Sequence, residues 1–299
     1  MRLFVTGSTG YVGQDLVRRL ISAGHTPVCL VRPASEKKLA DVRDKIEIIS
    51  GDMNDVDFWK TNLTDIDAII NLIGIIREFP SRGITFERHH YLFTIELVKL
   101  ANEAGVKRFI QMSALGSSPD SRAAYHRTKF RAEEYLRASD LEWTILRPSL
   151  IIGQGNEALA TMVKLIDSSP ITPVIGSGDY RLQPVDIANV GDAFVKALNN
   201  RHSIGKTYDL VGPDRMTYNQ MLEKISAKLG KKIKRLSMPV GLMKLVSSPF
   251  EYFSSFPLTR GQIDMLLEEN ISDSTEIYDD LQIEPINFED SLKKALKSE

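Results

Sequence analysis

Residues 6–13 read TGSTGYVG, and the fold is decided by what flanks them. Before them runs RLFVTG (2–7), short and apolar, which reads as a buried strand. After them runs YVGQDLVRRLISAG (11–24), which reads as a helix closed by a glycine stop. Strand, glycines and helix in direct succession form the context in which a glycine loop holds a dinucleotide. Gly7 allows the tight turn out of the strand, Gly10 lets the backbone approach a pyrophosphate, and Gly13 lets the helix pack close to the strand. The helix N-terminus offers free N–H groups and a partial positive charge. Gly7, Thr9, Gly10, Tyr11, Val12 and Gly13 are therefore the expected loop contacts. The spacing is GxxGxxG, not the commoner GxGxxG.

The alternation continues outward. TPVCLVR (26–32), KIEIISGD (45–52), DAIINLIG (67–74), KRFIQMSA (107–114) and LEWTILRPS (141–149) read as further strands. Helices are expected at 89–105 and 121–139. Apolar strands separated by amphipathic helices imply parallel strands with right-handed crossovers. The predicted class is α/β, a doubly wound parallel sheet with a smaller C-terminal α/β region. The expected division is a dinucleotide-binding core over 1–150 and a substrate or lid region over 151–299, with some chain returning to the core. Glycine and proline are frequent after residue 150; helices are expected near 157–167, 187–199, 217–229 and 288–297, with a β-like stretch at 207–212.

The second strand ends at Arg32, where an NAD site usually carries an acid for the ribose hydroxyls. A guanidinium can grip a 2′-phosphate with two hydrogen bonds, and Lys37 and Lys38 follow. NADP(H) is therefore expected in preference to NAD(H). Asp52, with Met53 beside it, stands where an acceptor could meet the adenine amino group. Asn71, Leu72, Ile73 and Gly74 end the fourth strand, where backbone would pass the cofactor.

The helix at 121–139, SRAAYHRTKFRAEEYLRAS, places Tyr125 and Lys129 four residues apart, on one face. Such a pair is either surface decoration or a proton donor beside the cation that tunes it. A free phenol titrates near ~10, too high for a base at neutral pH, and a neighbouring cation favours the phenolate.

With TGSTGYVG, GDMND, NLIG and YHRTK in chain order, the sequence resembles the short-chain dehydrogenase/reductase superfamily. LRPSLIIGQG and QPVDIANVGDAFVKAL resemble its extended, epimerase/dehydratase-like branch. FERHHYLFTIELV, MSALGSSPDS, SSFPLTRGQIDMLLEEN and LQIEPINFEDSL are similar to an atypical subgroup. That subgroup contains the nucleotide-binding accessory subunit of respiratory complex I and its bacterial relatives. The resemblance implies that Tyr125 exchanges a proton with a substrate hydroxyl or carbonyl while Lys129 lowers its pKa and holds the nicotinamide ribose. It implies a serine that hydrogen-bonds the substrate oxygen. In FIQMSALG that position falls on Ser113 or on Ala114. Ser113 is the expected residue; with Ala114 there, the site would bind cofactor and catalyse little or nothing. His90 should flank the site, where a lone histidine is more often a structural hydrogen-bonder than an acid or base. Pro148 should lie next to the nicotinamide.

Two functions are carried forward. One is an NADP(H)-dependent oxidoreductase or sugar-nucleotide-modifying enzyme acting on a carbonyl, hydroxyl or sugar-nucleotide substrate. The other is a catalytically weak cofactor-binding protein that stabilises or assembles a respiratory membrane complex, with peripheral contact to it. Composition narrows the rest. Net charge is -1, with 38 basic and 39 acidic residues, which gives no basic excess for nucleic acid. One cysteine, Cys29, excludes a disulfide framework and suits a reducing, cytoplasmic setting. No zinc-type histidine spacing is present, so no metal is expected. No apolar run approaches the ~20 residues of a span. The nearest, MPVGLMKLVSSPFEYFSSFPL (238–258), reads as a lid, a partner surface or a membrane-surface element.

Overall fold

Leu3, Phe4 and Val5 are all buried, without alternation between faces, as expected of a parallel strand covered on both sides. The computed structural model describes residues 1–55, 65–248 and 258–296. Strand β1 (Arg2–Thr6) leads through the glycine loop into helix α1 (Tyr11–Ser22), followed by β2 (Thr26–Val31), β3 (Glu47–Ser50) and β4 (Ala68–Asn71). Helix α2 (Phe93–Ala104), β5 (Arg108–Met112), α3 (Ala124–Arg137) and β6 (Glu142–Pro148) complete the run. A seventh strand, Lys206–Leu210, returns from beyond residue 150 to pair with β6.

The sheet is parallel throughout, in the order Lys206–Leu210, β6, β5, β4, β1, β2, β3. The chain winds from β1 outward to β3, then crosses to β4 on the other side of β1. Sheets whose order reverses in this way form their ligand crevice at the reversal, here the carboxyl ends of β1 and β4. One face of the sheet packs on α1 and on helix Ile187–Asn199, through Leu16, Leu20, Val190 and Phe194. The other packs on α2 and α3, through Phe93, Leu97, Ala101 and Leu136. A third core, with Ile166, Met221, Leu222, Ile225 and Phe288, lies in the C-terminal region.

Two features depart from the sequence expectation. The helix expected from 89 begins as a wider, π-wound turn at Glu87–Leu92, and α-helix proper starts at Phe93. The proline-containing stretch around 170–178 holds a strand, Ile171–Ile175, paired in parallel with Lys234–Met238. Pro173 is tolerated there because the sheet has only two strands and its missing N–H breaks no central ladder. Residue 297 of the expected last helix, and residues 249–257 of the apolar segment, lie outside the described residues. Among the described residues no helix is long and apolar enough to cross a membrane.

Candidate cofactor and catalytic site

The glycine loop is built by close approach. Gly7 takes a φ of +73°, and a Cβ on it would lie 3.0 Å from the Leu72 carbonyl carbon and 3.1 Å from the Ile73 nitrogen. A Cβ on Gly13 would lie 2.2 Å from the Gly7 carbonyl oxygen, so α1 sits against the loop with no room for a side chain. The Gly10 N–H donates to the Gly7 carbonyl at 3.0 Å, closing the turn. Helix α1 then starts with no side-chain cap and no acid in its first turn. These uncapped N–H groups face the crevice and fit a pyrophosphate. Thr9 and Gly10 hold the loop's outer edge, where their carbonyls accept from the Gln14 side chain. Val12 is buried beneath. Tyr11 reaches toward Gly153, where a Cβ would meet its hydroxyl at 2.5 Å.

Arg32 is exposed just past the end of β2, with no ion pair among the described residues. The nearby carboxylate of Glu36 accepts from the Ser50 hydroxyl at 2.7 Å. Asp52 turns one carboxylate oxygen onto its own loop, accepting the Asn54 N–H at 3.0 Å. Met53 packs half-buried against the α2 side of the sheet.

The end of β4 divides its labour. The Asn71 side chain is wholly buried and committed to the sheet. It accepts from Thr6 Oγ1 at 2.7 Å and donates to Gln111 Oε1 at 2.9 Å, tying β1, β4 and β5 together. Beyond it, the chain from Leu72 to Gly74 passes beside the Lys129 ammonium. A Cβ on Gly74 would come within 3.1 Å of Lys129 Nζ, so glycine leaves the ammonium's approach open.

Lys129 is 2% exposed. Its Nζ donates to the carbonyls of Ile73, at 3.2 Å, and Met112, at 3.0 Å. Burial pushes its pKa down to about 8, opposed by Glu133 one turn on. Glu133 is itself held by Arg137, at 2.8 Å, and by Arg147, so it does not reach up to cancel the ammonium. Tyr125 sits in an aromatic enclosure: His90 at 5.1 Å, His126 at 5.2 Å and Phe86 at 5.8 Å, all edge-on. Among the described residues its hydroxyl has no hydrogen-bond partner. Burial pushes the phenol up to about 12.

His90 bridges the loop after β4 and α3. Its Nε2 accepts the Ile75 N–H at 3.1 Å, and its Nδ1 lies 2.9 Å from Thr128 Oγ1. The Thr128 hydroxyl donates to carbonyls of its own helix, so Nδ1 carries the proton and donates. Burial, with Lys129 adding repulsion, drives the imidazole pKa well below its ordinary value. The π-wound turn carries this neutral ring between the loop after β4 and α3. Ser113 is 2% exposed, and its hydroxyl pairs with Ser117 Oγ at 3.1 Å instead of with Tyr125. Ala114 follows it, also buried. Pro148 ends β6, and its carbonyl accepts the Leu115 N–H at 3.0 Å.

Sequence reasoning missed a clamp. The Glu268 carboxylate accepts from His126 Nδ1 at 2.7 Å, the Arg122 N–H at 2.7 Å and the Ser121 hydroxyl. Two residues on, Asn270 Oδ1 accepts the Leu150 N–H at 3.0 Å. These contacts seat the C-terminal region over the ends of β5 and β6. The only signal in the chain was the polar triplet EEN (268–270) closing an apolar helix.

The profile of a family described as NAD(P)H-binding matches residues 7–201. The chain is 30% identical to the mitochondrial NADH dehydrogenase [ubiquinone] 1 alpha subcomplex subunit 9 of Arabidopsis thaliana, over 94% of this chain and 73% of that protein. It is 28% identical to the photosystem II assembly factor Ycf39 of Guillardia theta, over 86% and 78% of the two chains. In fold it is similar to an NADPH-dependent quinone oxidoreductase of Escherichia coli, with a TM-score of 0.77 and 17% identity over 97% and 98% of the chains. A UDP-glucose 4-epimerase of Thermotoga maritima gives 0.77 and 18% over 99% and 97%.

Proposed function

The chain belongs to the NAD(P)H-binding family, and we propose that it is an NADP(H)-dependent oxidoreductase in which Tyr125 and Lys129 move the proton that accompanies hydride transfer. One observation carries this reading. A lysine buried to 2% forms no ion pair among the described residues, its neighbour Glu133 being held by two arginines, and a tyrosine one turn away keeps its hydroxyl unpartnered among the described residues. A structural lysine would be paired or solvated. The nicotinamide, when bound, supplies or takes the hydride. The chain's part is to hold the ribose through Lys129 Nζ and to give the Tyr125 proton to the oxygen of a carbonyl as that carbon is reduced. A phenol kept neutral at physiological pH is in the correct state to donate. His90 fixes the loop that Lys129 grips.

Tyr125→Phe should cut turnover at least ~100-fold while leaving NADPH affinity within about 2-fold, since only a general acid is removed. NADPH fluorescence titration and oxidation assays against carbonyl compounds, quinones and sugar nucleotides test both halves. Unchanged turnover in the variant would end the assignment.

Arg32 supports the preference for NADP(H). Its guanidinium is exposed and unpaired among the described residues, and Glu36 is turned to Ser50. Arg32→Asp should shift the NADPH/NADH affinity ratio toward NADH by roughly 100-fold, about 3 kcal/mol for a bidentate charged contact replaced by repulsion. An unmoved ratio would refute the preference.

A second reading is favoured by one specific contact. Ser113, expected to polarise the substrate oxygen, has its hydroxyl 3.1 Å from Ser117 Oγ, in a pair that either oxygen can donate. With the Ser113 proton spent on Ser117, the site would hold cofactor better than it turns it over. Relatives named as a respiratory complex subunit and a photosystem assembly factor suit a cofactor-stabilised helper of a membrane complex. Purified protein whose bound NADPH stays reduced against every carbonyl, quinone and sugar nucleotide offered would select this reading.

A further inference from the structure

The strand pair Ile171–Ile175 and Lys234–Met238 and the helix after it, Val240–Ser247, carry an apolar face that nothing described covers. Ile171 is registered against Lys234, two residues from Leu236, so the three lie on one face of the ribbon. Ile171 is 51% exposed and Leu236 52%. The helix follows at the end of the ribbon, where a Cβ on Gly176 would meet Val240 at 3.4 Å. Its Leu242, Leu245 and Val246 stand at i, i+3 and i+4, a single stripe, and Leu245 is 71% exposed. The opposite side is the packed one: Ser247 is fully buried, and Lys244 is bonded to Asp264. This helix is amphipathic with its apolar stripe facing outward, the reverse of a helix seated on a core.

Its charge setting is one-sided. From Leu229 to Ser248 the chain holds Lys231, Lys232, Lys234, Arg235 and Lys244 and no acid. Lys231, Arg235 and Lys244 pair with Asp167, Glu223 and Asp264 from elsewhere. Lys232 and Lys234 are exposed and have no acidic partner among the described residues.

We propose that the ribbon face of Ile171, Lys234 and Leu236 together with the Leu242–Leu245–Val246 stripe docks on an anionic lipid surface, the leucines entering the acyl boundary and Lys232 and Lys234 meeting the headgroups. Apolar stripe and basic rim are the two signals a reversible interfacial attachment requires. A second copy of this chain is disfavoured, because a two-fold contact would set this basic rim against itself. The inference holds for the enzyme and for the assembly reading alike, since it uses none of the crevice residues.

Sedimentation of the whole 299-residue chain with vesicles tests it. The wild type should bind vesicles of phosphatidylcholine containing about one third phosphatidylglycerol, at least ~10-fold more tightly than phosphatidylcholine alone, and weaken as salt is added. Leu245→Glu and the double variant Lys232→Gln/Lys234→Gln should each lose roughly 10-fold or more, with unchanged melting by circular dichroism. Equal binding to both vesicle types, binding to neither, or wild-type affinity in both variants overturns the proposal. So does a concentration-dependent dimer, seen by sedimentation velocity, that Leu245→Glu dissolves, because the face would then belong to a second copy.

Discussion

Lys129→Met should make the cofactor-free protein more stable at neutral pH and leave it nearly inactive. The lysine's folded pKa is about 8 against an ordinary 10.5. Between those values the folded chain binds fewer protons than the unfolded one, so stability rises with pH across that window. Below about pH 8 the buried ammonium costs its full amount, about 3 kcal/mol for the depression involved. Methionine has similar length and no charge to desolvate. It forfeits the two bonds to the Ile73 and Met112 carbonyls, at ~1 kcal/mol each at most. Glu133 is left with its two arginines and is not orphaned. The net gain should be about 1–2 kcal/mol at pH 7, vanishing or reversing by about pH 10. Denaturant titrations of both proteins at the two pH values measure it. A variant less stable at pH 7, or a difference that does not change with pH, contradicts a desolvated ammonium at this position. Turnover should fall by at least ~100-fold in the same variant, because the proposed hold on the ribose is lost with the ammonium.

The parts of this site that were legible in the sequence are those encoded locally. The glycine loop announces itself because a turn, a close approach and a helix start fall within eight residues, and each has its own glycine. Tyr125 and Lys129 were legible because four-residue spacing on a helix fixes their common face. The alternation of apolar strands and amphipathic helices showed the succession of elements along the chain before residue 150 and their parallel sense, though not the order of strands across the sheet. What was hidden depends on where a side chain turns after tertiary contacts form. Asn71 stands at the crevice in sequence but spends its side chain inside the sheet on Thr6 and Gln111. Ser113 had Tyr125 or Ser117 within conceivable reach, and took Ser117. The π-wound turn that delivers His90 has no propensity signature, and it is held by contacts with Ile75 and Thr128, well separated along the chain. The pairing of Ile171–Ile175 with Lys234–Met238 and the Glu268 clamp likewise join segments too far apart for any local pattern to reveal.

Gly13→Ala should damage fold and cofactor binding together, whereas Gly10→Ala should damage binding alone. A Cβ at residue 13 would lie 2.2 Å from the Gly7 carbonyl oxygen and 2.7 Å from two backbone atoms of Ser8. Those are main-chain atoms of the turn itself, so no rotamer change relieves the overlap; α1 or the loop must move. Alanine's better helix propensity returns about 1 kcal/mol. Overpacking of this kind costs ~1–3 kcal/mol and sometimes more, so the melting temperature should drop by several degrees. The displaced turn also misaims the uncapped N–H groups of α1, and NADPH affinity should fall by ~100-fold or more, about 3 kcal/mol. At residue 10 the added carbon would be 3.2 Å from the same carbonyl and otherwise in the open. The fold accommodates it, but the methyl group stands where the pyrophosphate must approach. Gly10→Ala should therefore melt with the wild type and lose ~10-fold or more in NADPH affinity. Calorimetry and fluorescence titration on the two variants separate the outcomes. If Gly13→Ala binds NADPH as tightly as the wild type, or Gly10→Ala is indifferent to it, the diphosphate does not lie on this loop, and the assignments of Arg32, Tyr125 and Lys129 lose the frame that relates them.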